Sequence, residues 1–371
     1  SRLVYSLFFG SGVLVGITLC YFIGDKYCAG AISTFRVGNS SSAAANATAP
    51  PPHPRRHRVG LKEYLRPPEV FHDMTEEELM WRASMRAGIG TYPFDRRPKV
   101  AFMFLAKKGL PLAPLWELFF RGNEGSFSIY VHSPPPSSSL PEWHAPPESV
   151  FHGRTIPSKA VEWGRYSMVE AERRLLANAL LDLSNQRFVL LSESCIPIYN
   201  FTTVYEYLVG SAESFVESYD EDGPVGRGRY NRRMRPHVTV EQWRKGAQWF
   251  EMDRGLAVEV VADRLYCNLF RRFCRPSCYS DEHYLPTFVT AKFARNNSNR
   301  TLTWVDWSRG GPHPLRFLRS DVSPELVKRL RTGSRCVYNG RSTNVCHLFA
   351  RKFTLGALDR LLRFAPSLMY F

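Results

Sequence analysis

From Lys99 onward the sequence alternates short apolar runs with longer stretches of helical spacing, and few folds accommodate that alternation. Val100 to Leu105 is apolar throughout, the pattern of a strand buried on both faces. Leu112 to Phe120 follows with helical spacing, and Ser126 to His132 reads as a second strand. Met168 to Leu183 reads as a helix with Leu175, Leu176, Ala179, Leu180 and Leu183 along one side. Phe188 to Leu191 (strand), Thr203 to Leu208 (helix) and Glu213 to Tyr219 (strand) continue the series. A strand over Gln248 to Met252, a helix from Leu256 to Phe270 and a mixed C-terminal segment complete it. Parallel strands need crossover connections, so this order predicts an α/β body with a mostly parallel sheet flanked by helices. The body is expected to form one domain over residues 96–371, without internal repeats.

The rest of the chain bears on compartment. A formal charge of +15 calls for an anionic partner: nucleic acid, anionic lipid, acidic polysaccharide or a nucleotide diphosphate. Leu3 to Gly24 contains no charged residue and is long enough to cross a bilayer as a helix. Residues 1–26 therefore read as a transmembrane signal anchor. The alternative is a signal peptide cleaved near Tyr27-Cys28-Ala29-Gly30-Ala31, but the uncharged run exceeds the usual length of such a segment. Residues 27–95 read as a stem. Gly38 to Pro54 is dominated by Ser, Ala, Asn and Pro, while Thr75-Glu76-Glu77-Glu78 fits a capping box that opens a short helix stopping near Gly88. Glycosylation triplets at Asn39, Asn46, Asn200, Asn296 and Asn299 point to a lumenal body. Cys195, Cys267, Cys274, Cys278, Cys336 and Cys346 are then expected to form disulfides, with the pairing left open. A zinc site on Cys274 and Cys278 lacks a matching second pair. A lumenal body also removes nucleic acid as a partner.

Four clusters close apolar runs or lie near the C-terminus: Ile129 to His132, Ser192 to Cys195, Cys278 to His283, and Cys336 to Lys352. Ligands of open α/β sheets bind beyond the carboxyl ends of strands. Cys278 to Pro286 resembles the Pro-Asp-Glu segment of the core-2/I-branching N-acetylglucosaminyltransferases, and His347-Leu348-Phe349-Ala350-Arg351-Lys352-Phe353 is similar to that family's His-Leu-Phe-Ala-x-Lys-Phe. Gly246 to Phe250 resembles its Gly-Ser-x-x-Phe strand, and Trp304 to Pro314 its tryptophan-led loop. Trp163-Gly164, Leu190 to Cys195 and Trp304 to Pro312 follow the order of the plant branch of glycosyltransferase family 14. The resemblance runs from about Pro98 to the C-terminus.

What the resemblance implies is an inverting, metal-independent transfer of a sugar from a UDP-sugar to a glycan hydroxyl. The fold would be GT-A-like, in a type II Golgi membrane protein. Glu282 matches the catalytic carboxylate, a general base for the acceptor hydroxyl, and Asp281 would start the following helix. Lys352 matches a lysine that binds the diphosphate. The companion arginine has no direct match, since Gly333 stands at its place; Arg335 is the choice and Arg331 the second candidate. His132, Trp163 and Gly164 correspond to the nucleotide-sugar pocket, although the acid that follows the histidine in the family is absent here. Glu217 and Trp304 correspond to acceptor contacts. The run Arg227, Arg229, Arg232, Arg233 and Arg235 is either a solvated face or a grip on an acidic or hydroxyl-rich acceptor. Asp306 stands where the family has tyrosine, which sets this acceptor apart from the animal one.

No cofactor is implied. Asp220-Glu221-Asp222 matches the Asp-x-Asp pattern of metal-dependent transferases, but Gly223-Pro224 follows directly and a surface turn is the ordinary reading. Ser192-Glu193-Ser194 has no Gly-x-Ser-x-Gly elbow, and no phosphate-binding glycine loop occurs. The competing readings are a catalytically inactive, membrane-tethered glycan-binding protein and a metal-dependent transferase using Asp220 and Asp222.

Overall fold

The apolar run at Val100 forms the centre of a sheet covered on both faces. The computed structural model describes residues 60–371 apart from 88, 90, 136–142 and 276–277. The anchor over residues 1–26 and the stem triplets at Asn39 and Asn46 lie outside the described residues. No helix among the described residues is long and apolar enough to cross a membrane.

The strands are β1 (Lys99–Leu105), β2 (Phe127–His132), β3 (Asn185–Ser192), β4 (Ile196–Pro197), β5 (Glu251–Asp253), β6 (Thr303–Val305), β7 (Cys336–Tyr338), β8 (Arg341–Thr343) and β9 (Phe349–Arg351). The main sheet has the order β2-β1-β3-β5, with β2, β1 and β3 parallel and β5 antiparallel. A smaller sheet has the order β4-β9-β6, and β7 with β8 forms a hairpin. The α-helices of seven residues or more are α1 (Glu76–Ala83), α2 (Ala113–Phe120), α3 (Ser167–Leu180), α4 (Phe201–Val209), α5 (Arg254–Ala262), α6 (Leu265–Phe273), α7 (Tyr284–Lys292), α8 (Pro324–Thr332) and α9 (Leu358–Phe364).

Alternate strand residues enter two cores, as the pleat requires. Phe102, Phe104, Ile129, Val131, Val189 and Leu191 pack under α2, α4, α8 and α9. Ala101, Met103, Tyr130, Phe188 and Leu190 pack under α1, α3, α5, α6 and α7. The capping box at Thr75 is present: Glu78 N–H donates to Thr75 Oγ1 at 3.3 Å, and Thr75 N–H donates to Glu78 Oε2 at 2.7 Å. Glu76 on the same helix pairs with Arg174 of α3 at 3.1 Å, which docks α1 on the body.

Three segments depart from the sequence reading. The helix expected over Leu256 to Phe270 breaks at Asp263, whose carboxylate accepts from Tyr266 N–H at 3.1 Å and Cys267 N–H at 2.8 Å and so caps α6. Glu213 to Tyr219 forms only isolated bridges, Ser214 with Asn297, Phe215 with Glu251 of β5 and Tyr219 with Lys245; two of the three partners are loop residues, and no continuous ladder forms. The strand expected over Gln248 to Met252 pairs as Glu251–Asp253. Cys274–Cys278 and Cys336–Cys346 are disulfides, whereas Cys195 and Cys267 are buried free thiols. The first bridge takes the thiols a zinc site would have needed.

One buried acid makes the fold sensitive to pH. Glu251 is 1 % exposed, and burial pushes its carboxyl up to about 8 despite a bond from Leu302 N–H. The folded chain therefore holds a proton that the unfolded chain has released once pH exceeds ~4.3. Stability contributed below that pH falls as pH rises toward 8, by roughly 4–5 kcal/mol for this group alone. Glu251→Gln should flatten the decline between pH 5 and pH 8 in urea melts and exceed the unmutated stability at pH 8. Parallel pH profiles for the two proteins would contradict the assignment.

Candidate active site

The segment Gly246 to Trp249 runs past the carboxyl end of β3 and organises the site. Its direction is set by Leu190 N–H, which donates to Phe250 O at 3.0 Å, next to the antiparallel pairing of Val189 with Glu251. Gln248 anchors the middle by donating to Glu172 Oε1 of α3 at 2.8 Å. Distinct chemistry collects at the two ends.

At the Gly246 end, Gly246 N–H donates to Glu282 O at 2.9 Å, and Ala247 N–H donates to Glu217 Oε2 at 3.0 Å. A Cβ at position 246 would lie 1.8 Å from Glu217 O, so only glycine allows this approach. Glu282 Oε2 accepts from Arg229 Nη1 at 2.8 Å. The Arg229 guanidinium lies 4.2 Å from the Tyr279 ring centroid, a cation–π contact that fixes its fork. Trp163 meets the same tyrosine edge-on at 5.0 Å and His313 at 5.2 Å. Trp163 is nevertheless 57 % exposed, a broad apolar face open to a ligand. The next residue, Gly164, has φ +75°, where a side chain would be strained. Glu217, Arg229, Glu282 and Trp163, separated in sequence, thus form one group.

The two adjacent acids differ sharply. The Glu282 side chain is 29 % exposed, whereas Asp281 is 6 % exposed and its Oδ1 has no hydrogen-bond partner. Burial, and then the charge of Glu282, pushes the Asp281 carboxyl up to about 7. Glu172 lies behind it, raised well above the carboxylate range by burial and by Asp281. Asp281 does not start a helix: it lies in the turn Ser280–Glu282, and α7 begins after His283 without a side-chain cap. Only Glu282 can reach a hydroxyl from solvent. Burial also raises the Glu217 carboxyl, partly offset by Ala247 N–H and Lys245.

At the Trp249 end the charge is positive. The Arg351 guanidinium stands 4.1 Å from the Trp249 ring centroid. Lys352 follows it and is half-buried; burial, then Arg351 and Arg316, pushes its ammonium below the usual lysine value, with Glu193 opposing. Arg316 reaches this position through backbone pairing, since Phe317 N–H donates to Lys352 O at 2.8 Å and Phe317 bridges Phe353. Arg316 forms no ion pair with any described residue. Three cations facing one acid, Glu193, leave positive charge that an anion would neutralise. A backbone spans at most ~3.6 Å per residue, so Gly246 and Trp249 lie within about 11 Å of each other. The Glu282 backbone contact and the Arg351 ring contact are therefore attached to neighbouring points of one segment.

The Core-2/I-Branching enzyme family pattern matches residues 100–331. The chain belongs to the core-2/I-branching enzyme family. Glycosyltransferase BC10 of Oryza sativa subsp. japonica is 37% identical over 308 residues, 71% of this chain and 76% of the rice protein. Like its family, the chain is a glycosyltransferase. The matched span contains Trp163, Glu217, Glu282 and Trp304, and Lys352 lies beyond it.

Other residues named from the sequence sit apart from that group. His132 is 1 % exposed, its Nε2 is 3.2 Å from Arg174 Nη1, and burial followed by the arginine charge lowers its imidazole to about 3. It is a neutral interior acceptor at the end of β2. Trp304 packs on Phe317 with ring centroids 5.9 Å apart, under Arg329. It pairs with Ala350 while Val305 pairs with Arg351, so Trp304 faces away from the Arg351 side of the small sheet. Arg331 donates to Leu368 O and lies against Tyr199 and Tyr370, a structural role at the C-terminus. Arg335 is exposed before the hairpin, without an ion pair to any described residue. Arg316, not singled out from sequence, is a second arginine, after Arg351, whose charge acts on Lys352.

Asp220 and Asp222 are both held by Arg227, at 2.5 Å and 3.0 Å, and Glu221 pairs with Lys245 at 3.0 Å. Among the described residues no group of three or more His, Cys, Asp and Glu side chains converges as metal ligands. Of the described glycosylation triplets, Asn296 and Asn299 are exposed, while Asn200 caps α4 through Thr203 N–H at 3.0 Å.

Proposed function

We propose that this branching enzyme transfers a sugar, N-acetylglucosamine or a related unit, from a UDP-sugar to a glycan hydroxyl with inversion and without a metal. Glu282 accepts the hydroxyl proton as the oxygen bonds to the anomeric carbon from the face opposite UDP. The bond to UDP breaks and its electron pair leaves with the diphosphate. Lys352, with Arg316 or Arg335, stabilises that departing charge. Trp163 and Gly164 line the donor pocket, and Glu217, Arg229 and Arg232 belong to the acceptor side. What supports this reading is an accessible Glu282 carboxylate whose backbone is bonded to Gly246, with Arg351, the neighbour of Lys352, packed on Trp249 of the same segment. The pairing of Asp220 and Asp222 with Arg227 supports a metal-free reaction.

A lumenal Golgi setting, with residues 1–26 as a type II anchor, is part of the proposal. The two disulfides and the exposed Asn296 and Asn299 support it. The test is UDP release by the full-length protein from UDP-N-acetylglucosamine, UDP-xylose and UDP-glucuronate, with and without EDTA. Turnover with one donor, unchanged by chelator and little affected by Asp222→Ala, is the expected result. Loss with EDTA and recovery with manganese would favour a site on Asp220 and Asp222. Silence with every donor, glycan binding being retained, would favour an inactive binding protein.

A further inference from the structure

Beyond Arg229 the arginine-rich loop borders an open cavity of about 560 Å³ lined by Arg227, Tyr230, Arg232, Arg235 and Val240. Its size is in the range of a small-ligand site. Arg227 is neutralised by Asp220 and Asp222, but Arg232 and Arg235 form no ion pair with any described residue. Glu241, at the rim, feels the charges of Arg235 and Arg227 and is fully exposed.

The loop backbone is pinned. Tyr230 Oη donates to Val238 O at 2.7 Å, Asn231 Nδ2 to Phe273 O at 2.9 Å, and Trp243 Nε1 to Gly226 O at 3.1 Å, while Met234 is fully buried. A solvated charge run needs no such anchoring. Here it holds two unpaired guanidinium groups on the wall of a hollow. The hollow adjoins the site, because Arg229, between Arg227 and Tyr230 in the chain, bonds Glu282.

We propose that this cavity binds carboxylate-bearing sugars, so that the acceptor is an acidic glycan whose uronate units sit on Arg232 and Arg235 beside the reacting hydroxyl. The guanidinium fork matches a planar carboxylate bidentately, and the Tyr230 wall supplies a surface for a pyranose ring. This assignment rests on the transferase reading for the identity of the site and adds the chemistry of the acceptor.

The test is calorimetric titration of the full-length protein in detergent with an oligogalacturonate and with its methyl ester, a neutral molecule of nearly the same shape. The acid form should bind at least about tenfold more tightly, with the advantage shrinking as salt rises. The double variant Arg232→Ala, Arg235→Ala should lose about tenfold for the acid form only, and the double lysine variant should recover part of it. Equal binding of acid and ester, or an unchanged acid affinity in the alanine variant, overturns the proposal. UDP is titrated in parallel. A loss of UDP affinity in the alanine variant would assign the cavity to the donor diphosphate and also overturn it. Failure of the unmutated protein to bind UDP, with the acid preference intact, would count against the transferase reading alone.

Discussion

Exchange of Glu282 for glutamine should leave UDP affinity near its unmutated value and lower turnover by about 10²–10⁴, the range for a lost general base. Glutamine keeps the side-chain shape and an oxygen that can accept from Arg229, so the ring stack of Arg229 on Tyr279 survives. What disappears is the capacity to take a proton. Asp281→Asn is the informative partner. A carboxyl raised to about 7 is already mostly protonated below that pH, and asparagine imitates the protonated form. Its effect on turnover at pH 6 should be small. If single-turnover rates instead fell with Asp281→Asn and not with Glu282→Gln, the two acids would exchange roles.

The second large effect is expected at the cationic end. Lys352→Ala should weaken UDP binding and reduce turnover by about 10²–10³, the size seen when one preorganised partner of a developing anion is removed. Lysine is already held below its usual pKa by burial and by Arg351 and Arg316, so a bound diphosphate relieves mutual repulsion. Arginine at position 352 should restore part of the affinity. Arg316→Ala should act in the same direction but less strongly, and Arg331→Ala should change stability rather than UDP affinity. Measured UDP affinities that respond to Arg335→Ala but not to Arg316→Ala would assign the companion cation to the residue chosen from sequence. Unaltered turnover in Lys352→Ala would remove the cation group from the mechanism.

The elements legible in the sequence were those whose signals are local. Val100 to Leu105 announces a doubly covered strand by lacking any polar residue, and Thr75 with Glu78 announces a helix start by chemistry confined to a few positions. The break at Asp263 had a readable signal, an acid just before Tyr266 and Cys267 whose N–H groups it caps, but the apolar periodicity on both sides concealed it. Glu213 to Tyr219 has strand composition but meets β5 only at Phe215, and its other bridge partners, Asn297 and Lys245, are loop residues, so no ladder extends along it. At the site, Glu282, Glu217 and Trp163 carried motif context, and the structure gathers them. Arg316 carried none: its relation to Lys352 exists only through the bridge of Phe317 with Phe353. The ties of Asp220 and Asp222 to Arg227 are likewise invisible until the loop closes on itself.

The stretch from Gly246 to Trp249 has a consequence for how such chains can diverge. Because Glu282 meets Gly246 through a backbone hydrogen bond and Arg351 meets the Trp249 ring, the length of the stretch between them limits how far these two contacts can part. One inserted or deleted residue would displace one end relative to the other by ~3.4 Å. A misplacement of even ~1 Å can cost a hundredfold in rate. Residues Gly246, Gln248 and Trp249 are constrained as well, by Glu217, Glu172 and Arg351, so the stretch tolerates little change in either length or composition.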